Sequence, residues 1–309
     1  MTMNITLRQL RAIAALRRHG SMTRAAAELN VSPPAVTLQM KALEDQIGIA
    51  LVERSAGGMV LTMPGTVIAD AAARIAAVLR ETEAKLAGIA GAERGEVHVG
   101  ISSTAKYFAP QALAAFSDAH PGIDLRLTVG NRRDILDGLQ HHECDLAIMG
   151  RPPTEMKVIA DLIGDHPYVI VVRPGHRLAG KHKIDPCELS GETILAREAG
   201  SGTRNLMEDY FATSGIKPKI GMQISSNETI KQSVMAGLGI AFLSGHTIDA
   251  EVLSGRLIVL QMKDLPIIRQ WYGVHLSERV IMPACAELLG FLRHQGPSFL
   301  PRNAIRLTK

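Results

Sequence analysis

Apolar positions over the first ninety residues recur at helical spacing and are punctuated by capping signals. Thr6 ahead of Leu7, Leu10, Ile13 and Ala14 predicts a helix with Arg17 and Arg18 on its outer face, closed by Gly20. Ser21 opens a shorter helix through Leu29, in which Ala25, Ala26 and Ala27 are small enough for another helix to cross closely. The break at Asn30-Val31 leads to Ser32 as an N-cap and Pro33 at a first helical position. Val36, Met40, Leu43 and Ile47 then share one face, and Gly48 stands just past the end. Residues 51–61 read as a two-stranded wing turning at Gly57-Gly58. Thr62 caps a long helix in which Ile68, Ala72, Ile75, Leu79, Thr82, Leu86 and Ile89 alternate steps of four and three, the spacing of a heptad seam. A lone amphipathic helix shows the same stripe, but one of this length joining two domains needs a partner to cover it.

After a hinge-like break at 91–95 the pattern changes to short apolar runs alternating with helices. A strand at Val97, Val99 and Ile101 precedes a helix near 106–119, a strand at 123–129, a helix at 132–140 and a strand at 145–149. A second set follows: strands at 168–172 and 193–196, a helix after Gly202, a strand at 220–224, a helix after Asn227 and a strand at 239–243. Two similar α/β lobes are expected.

The 309 residues are enough for about two domains. Cys144, Cys187 and Cys285 stand far apart with no CxxC or CxxH spacing, so neither a disulfide framework nor a structural zinc site is expected. The N-terminus lacks the apolar core of a secretory signal, and no run of about 18 apolar residues occurs, so a cytoplasmic protein without a membrane span is expected. The net charge of +4 announces no partner by itself. Its distribution says more, because residues 1–90 hold ten Lys/Arg against seven Asp/Glu. After Leu292 come Arg293, Arg302, Arg306 and Lys309 without one acid. Either stretch could be a solvated surface or a DNA contact.

Two helices joined by a tight turn, the second opening on small residues, form the helix-turn-helix arrangement. In it the third helix enters a major groove with Ser32, Pro33, Pro34, Thr37, Leu38 and Lys41 on or near its leading edge. Thr37 can bond a base or a phosphate, the Thr37 methyl and Pro34 can pack on thymine methyls, and Lys41 and Arg54 suit phosphates. The segments Leu7-Arg8-Gln9-Leu10, Gly20-Ser21-Met22-Thr23-Arg24-Ala25-Ala26, Ser32-Pro33-Pro34-Ala35-Val36-Thr37, Leu51-Val52-Glu53-Arg54 and Leu61-Thr62-Met63-Pro64-Gly65 resemble the N-terminal domain of LysR-type transcriptional regulators. Departures are Pro33 where the family often has Gln, Thr37 where it usually has Ser, and Leu38 where it commonly has a basic residue. Fewer hydrogen bonds to base edges leave more of the sequence choice to groove shape and methyl contacts.

The resemblance implies an α+β multidomain chain. Residues 1–64 would be a winged helix-turn-helix domain, 65–91 a dimerising linker helix and 92–309 a two-lobed, periplasmic-binding-protein-like α/β effector domain. Lobe one would take about 95–165 and 269–295, and lobe two about 166–268. It further implies double-stranded promoter DNA as partner, a homodimer or homotetramer reading an imperfect palindrome, and RNA polymerase as a further partner. A ligand would sit in the cleft between lobes, beyond strand ends where helices begin.

Matching chemistry is present in that region. Ser102-Ser103-Thr104 follow a strand, with Lys106 close by, so hydroxyls and free helix N–H groups could face an anion. Ser201, Thr203 and Arg204 repeat the arrangement, as does the run Ser225-Ser226-Asn227-Glu228-Thr229. Arg151, held by Pro152-Pro153, adds charge after the strand at 145–149. Any one of these hydroxyls could equally be a plain N-cap. Three such sets in one α/β region favour an anionic effector. Ser103-Thr104-Ala105-Lys106-Tyr107-Phe108-Ala109-Pro110 and Ile148-Met149-Gly150-Arg151-Pro152-Pro153 are similar to the CbbR subgroup, regulators of the Calvin-cycle RuBisCO operon. That similarity implies a phosphorylated effector such as ribulose bisphosphate, phosphoenolpyruvate or phosphoglycolate, or NADPH.

Other signals carry little. Residues 175–181 have P-loop spacing, but His182 stands where magnesium needs Ser or Thr. His141-His142-Glu143-Cys144 are adjacent on a helix and point different ways. No GxSxG or other catalytic constellation is found, and no cofactor or metal is expected. Within the regulator reading the runner-up is a different metabolic operon, such as one of aromatic or amino-acid catabolism; a solute-binding protein of the same two-lobed fold is the competing reading outside it, opposed by the N-terminal helices, and an enzyme of that fold is a third.

Overall fold

The computed structural model describes residues 4–55, 58–89 and 94–302 and divides into two compact units, Met1–Lys85 and Leu86–Lys309. In the first, α1 (Leu7–His19), α2 (Met22–Glu28) and α3 (Pro33–Ile47) precede the antiparallel hairpin of β1 (Val52–Ser55) and β2 (Gly58–Leu61), and α4 (Met63–Ile89) follows. Local chemistry accounts for the boundaries. Thr6 and Gln9 form a reciprocal capping box on α1, and Gly20 at φ 59° ends it with its N–H on the Leu16 carbonyl. Pro33 stands in the first turn of α3, and Gly48 closes it at φ 77°. The Glu44 carboxylate accepts from Leu51 N at 2.7 Å and Val52 N at 3.3 Å, tying α3 to the wing. Thr62 caps α4 through Gly65 N at 3.2 Å.

The core of this unit gathers Ile13, Leu16, Val36, Met40, Leu43 and Leu51, and the start of α4 joins it through Ile68, Ala69 and Ala72. The helix expected as a separate linker therefore gives its N-terminal half to this unit. Farther along α4, Ile75, Val78, Leu79 and Leu86 are exposed. The side chain of Ile89, the wing-turn residue Gly57, residues 91–93 of the expected hinge and tail residues Arg306 and Lys309 lie outside the described residues.

The second unit opens with β3 (Gly95–Ser102), α5 (Ala109–Ala119), β4 (Ile123–Gly130), α6 (Arg132–Gln140), β5 (Leu146–Met149) and β6 (Val158–Val172). It continues with β7 (Thr193–Arg197), α7 (Gly202–Thr213), β8 (Lys219–Ile224), α8 (Asn227–Met235), β9 (Ile240–Ser244), α9 (Asp249–Leu253), β10 (Ile258–Val259), β11 (Ile267–Leu276) and α10 (Pro283–Gln295). Strand order is β4-β3-β5-β11-β6-β9-β7-β8, with β10 also on β6. Two parallel sets, β4-β3-β5 and β9-β7-β8, are joined by the long antiparallel pair β6 and β11. That ribbon runs from Ile267↔Tyr168 to Leu276↔Val158 with a bulge at Trp271/Tyr272, so the lobes share one sheet.

Both faces of the second lobe are covered. Tyr168, Ile170 and Val172 face one core with Phe211 and Phe242, while Val169 and Val171 face another with Ile230 and Ile248, the period-two alternation of a central strand. In the first lobe α6 packs Ile135, Leu136 and Leu139 on Ala147 and Val274, and α5 meets α10 through Phe116 and Phe291, whose rings are 5.5 Å apart.

Two expectations change. The helix expected near 106–119 divides into a single 3-10 turn, Ala105–Tyr107, and α5, because Pro110 has no N–H to continue a helix and instead sits in the first turn of a new one. The strand expected at 168–172 extends back to Val158. Among the described residues no helix is long and apolar enough to cross a membrane.

Candidate nucleic-acid face and ligand cleft

On the first unit the α3 residues picked from sequence form one solvent-facing strip. Ser32, Pro33, Pro34, Thr37 and Lys41 are exposed, and Leu38 is 65% exposed. The Thr37 hydroxyl donates to the Pro33 carbonyl at 3.1 Å, which leaves its lone pairs and methyl to a partner. Arg54 is exposed on β1, and neither it nor Lys41 has an ion-pair partner among the described residues. Arg17 and Arg18, by contrast, are engaged. Arg17 lies 2.5 Å from Asp70, and Arg18 and His19 share Glu28, whose carboxyl they hold below the usual range, with the Arg18 hydrogen bond as the leading stabilising contact. This strip is small, partly apolar and rimmed by free cations, the chemistry of groove contact.

In the second unit a cleft of about 750 Å³ lies between the lobes. Ser102, Ser103, Thr104, Arg151, Ser201 and Thr203 line it, so six of the nine residues picked for a ligand come together. The other three do not line it. Lys106 turns out of the cleft on the 3-10 turn, its Nζ 3.9 Å from Glu228 and 5.1 Å from the Tyr107 ring centroid. Arg204 pairs with Glu208 one helical turn on, at 2.5 Å, and reaches the Arg197 carbonyl at 3.4 Å. Asn227 is 2% exposed and already bonded to Arg197 and, at 3.4 Å, to the Ser103 carbonyl. The hydroxyl run at 225–229 is a plain cap, with Ser226 accepting from Thr229 N at 3.3 Å.

Sequence reading missed the charged residues that dominate the cleft. Arg197 at the end of β7 is 3% exposed; its guanidinium forks onto Glu198 with both bonds at 2.8 Å, donates to Asn227 at 2.5 Å and reaches Ser103 Oγ at 3.3 Å. It thereby ties β7 in one lobe to the end of β3 in the other. Arg132 at the start of α6 donates to the Arg151 carbonyl and lies 3.7 Å from Met149 Sδ, and burial lowers its pKa. Arg151 and Arg269 are exposed and have no ion-pair partner among the described residues. Four arginines thus face Glu155, Glu198 and Asp209, and the strongest of those pairings is internal. Tyr168 adds a phenol that burial keeps protonated. The Asn131-Arg132 pair follows β4 as Ser103-Thr104 follow β3, a strand-to-helix signal that could have located it. Arg197 ends the apolar run of β7 and Arg269 sits inside β11, and neither carries such a signal.

The guanidiniums of Arg151 and Arg269, without an ion-pair partner among the described residues, and Ser201 at the start of α7, whose side chain makes no cap bond, suit a small anion with several oxygens. Among the described residues no group of His, Cys, Asp and Glu could hold a metal ion.

The chain resembles known proteins over nearly its whole length. A model of the LysR substrate binding domain matches residues 90–297, and one of the bacterial regulatory helix-turn-helix protein, lysR family, matches residues 7–66. The HTH-type transcriptional regulator CbbR of Xanthobacter flavus is 50% identical over 299 residues, 96% of this chain and 90% of that protein. The RuBisCO operon transcriptional regulator of Allochromatium vinosum is 41% identical over 290 residues, 94% of this chain and 96% of that one. The Synechocystis PCC6803 CcmR regulatory domain, solved in complex with 2-PG, is 33% identical at a TM-score of 0.63 and covers 66% of this chain and all of its own. A full-length OxyR variant from Pseudomonas aeruginosa, 23% identical, matches in fold at a TM-score of 0.73 over 96% of this chain and 98% of its own.

Proposed function

The chain belongs to the LysR family of transcriptional regulators, and from that premise we propose that it controls carbon-fixation genes of the RuBisCO operon in response to a small phosphorylated anion. The observation that carries the target is the identity to CbbR, which extends through both units rather than the DNA-binding unit alone. The effector class rests on the cationic cleft together with the 2-PG bound to the CcmR regulatory domain.

Promoter DNA meets the α3 strip through groove contacts from Ser32, Pro33, Pro34, Thr37 and Leu38, while Lys41 and Arg54 neutralise phosphates. The exposed row Ile75, Val78, Leu79 and Leu86 on α4 supports pairing with a second copy, so that two recognition helices read a two-fold site. Such a dimer, or a tetramer built from it, works in the cytoplasm where its DNA is, with RNA polymerase as the neighbour at the promoter. In the cleft the anion is met by Ser102, Ser103, Thr104, Ser201 and Thr203, with Arg132, Arg151 and Arg269 supplying charge. Because the cleft has one lobe on each side, a ligand that binds one lobe arrangement more tightly shifts the population of arrangements, and subunit packing and DNA bend with it.

Fluorescence anisotropy of the purified protein tests this on a RuBisCO-operon promoter fragment and a scrambled duplex at fixed salt, with and without 2-phosphoglycolate, phosphoenolpyruvate or ribulose bisphosphate. Selective binding shifted by one of these ligands is expected. Equal affinity for both duplexes would refute the target, and selectivity that no phosphorylated ligand alters would refute the effector class.

A further inference from the structure

One group in the cleft wall has an unsatisfied side. His166 on β6 is 1% exposed, with its ring stacked on Trp271 of β11 at a centroid distance of 3.8 Å and 4.4 Å from the Tyr168 ring. Nε2 lies 2.9 Å from Ser244 Oγ, but Nδ1 is buried without a hydrogen-bond partner. A buried ring nitrogen left unpaired is costly and uncommon, so such an atom in a ligand-sized cavity asks for an occupant.

Gly150 packs against that edge of the ring. A Cβ there would fall 2.9 Å from His166 Nδ1 and 3.3 Å from its Cε1. Gly150 is not among the residues of positive φ, so its backbone does not require glycine. What the missing side chain does is let the Nδ1 edge of the ring lie against the backbone of Gly150, which itself lines the cleft.

Neighbouring bonds decide what Nδ1 offers. Ser244 Oγ accepts from His246 N at 3.3 Å, and His246 Nδ1 accepts from the Trp271 indole N–H at 3.0 Å. The Ser244 hydroxyl proton can then point at His166 Nε2, and the inference takes this tautomer, with the ring proton on Nδ1. Burial first and His246 second push the His166 pKa well below its ordinary value, so the ring is neutral with one N–H. We infer that His166 is a specificity-determining contact of this cleft, its Nδ1–H donating past Gly150 to an oxygen of the bound anion. The inference rests on the cleft being the effector site.

The test is calorimetric titration of 2-phosphoglycolate into the full-length parent and three variants, H166N, H166Q and G150A, with thermal midpoints measured alongside. Asparagine sets its amide near the place of Nδ1 and glutamine near that of Nε2, while both remove the stacked ring. H166Q and G150A should weaken binding about tenfold or more, whereas H166N should stay within about threefold of the parent. Equal weakening by H166N and H166Q, in step with their thermal midpoints, would make His166 a packing residue and overturn the inference. Parental affinity in G150A would overturn it too, with the effector reading left standing. A parent that binds no phosphorylated anion would overturn both.

Discussion

On the outer strip of α3 each group offered to a partner is exposed and bonded to little beyond its own helix, as Thr37 is to Pro33. Arg197 in the cleft is instead 3% exposed and already committed to Glu198, Asn227 and Ser103 before any ligand arrives. The first surface loses water and side-chain freedom only on contact, so each residue contributes modestly and the sum is sensitive to salt. The second was desolvated during folding, so its polar groups are held in place and single losses are large. A long, sequence-selective polymer and a small anion call for these two solutions in turn.

Arg197→Ala should sharpen that contrast most. It strands Glu198 and Asn227 and severs the tie between β7 and β3, at a cost of about 3–5 kcal/mol to the second unit. Calorimetric melting should show that loss in the second unit, with the first unit's transition unmoved. Acid should act next. Burial pushes the pKa of His246 down to about 4 and that of His166 well below its usual value, whereas in the unfolded chain both titrate near about 6.5. Between those values the unfolded state holds more protons. The second unit should therefore lose up to about 1.4 kcal/mol per pH unit for each ring as pH falls through that window, and be level above it. Urea titrations from pH 8 to 5 measure it, and a pH-independent midpoint would break the argument. Arg151→Ala, which removes an exposed side chain without an ion-pair partner among the described residues, should leave melting unchanged and weaken 2-phosphoglycolate binding about tenfold by calorimetry. The smallest effects belong to α3 and the wing: Thr37→Ala should cost operator affinity a few-fold in anisotropy, and Arg54→Ala should lower the slope of log affinity on log salt by about one.

The same contrast governs how far sequence could be read. In the first unit several boundaries rest on neighbours in the chain, such as the Thr6–Gln9 box, Pro33 in the first turn of α3 and the glycines at 20 and 48, and these are visible as local patterns. The start of β6 has no such signature. Residues 158–167 include Gly164, His166 and Pro167 and expose Ile159 and Leu162, so no alternation marks them, and they are a strand because β11 pairs with them. In the cleft the hydroxyls at 102–104 and 201–203 were legible because they follow strands and precede helical turns. Lys106, Arg204 and Asn227 stand outside the cleft lining because each has an internal partner that residue type alone does not reveal. For Arg204 the warning was present in Glu208, four residues on. Arg197, His166 and Arg269 come from three strands that only tertiary folding brings to one cleft.

The β6–β11 ribbon also sets the order in which this chain can be completed. Everything from Thr193 to Val259 in the second lobe leaves the ribosome before β11, and β9 already has β6 to pair with. The first lobe must wait, because β5, whose four residues are all buried in the finished fold, acquires its β11 neighbour only when Tyr272–Val274 have been made. During synthesis the apolar edge of Leu146–Met149 is an open strand for the whole time the second lobe is being built, the interval in which a nascent regulator of this shape is most exposed to misassociation.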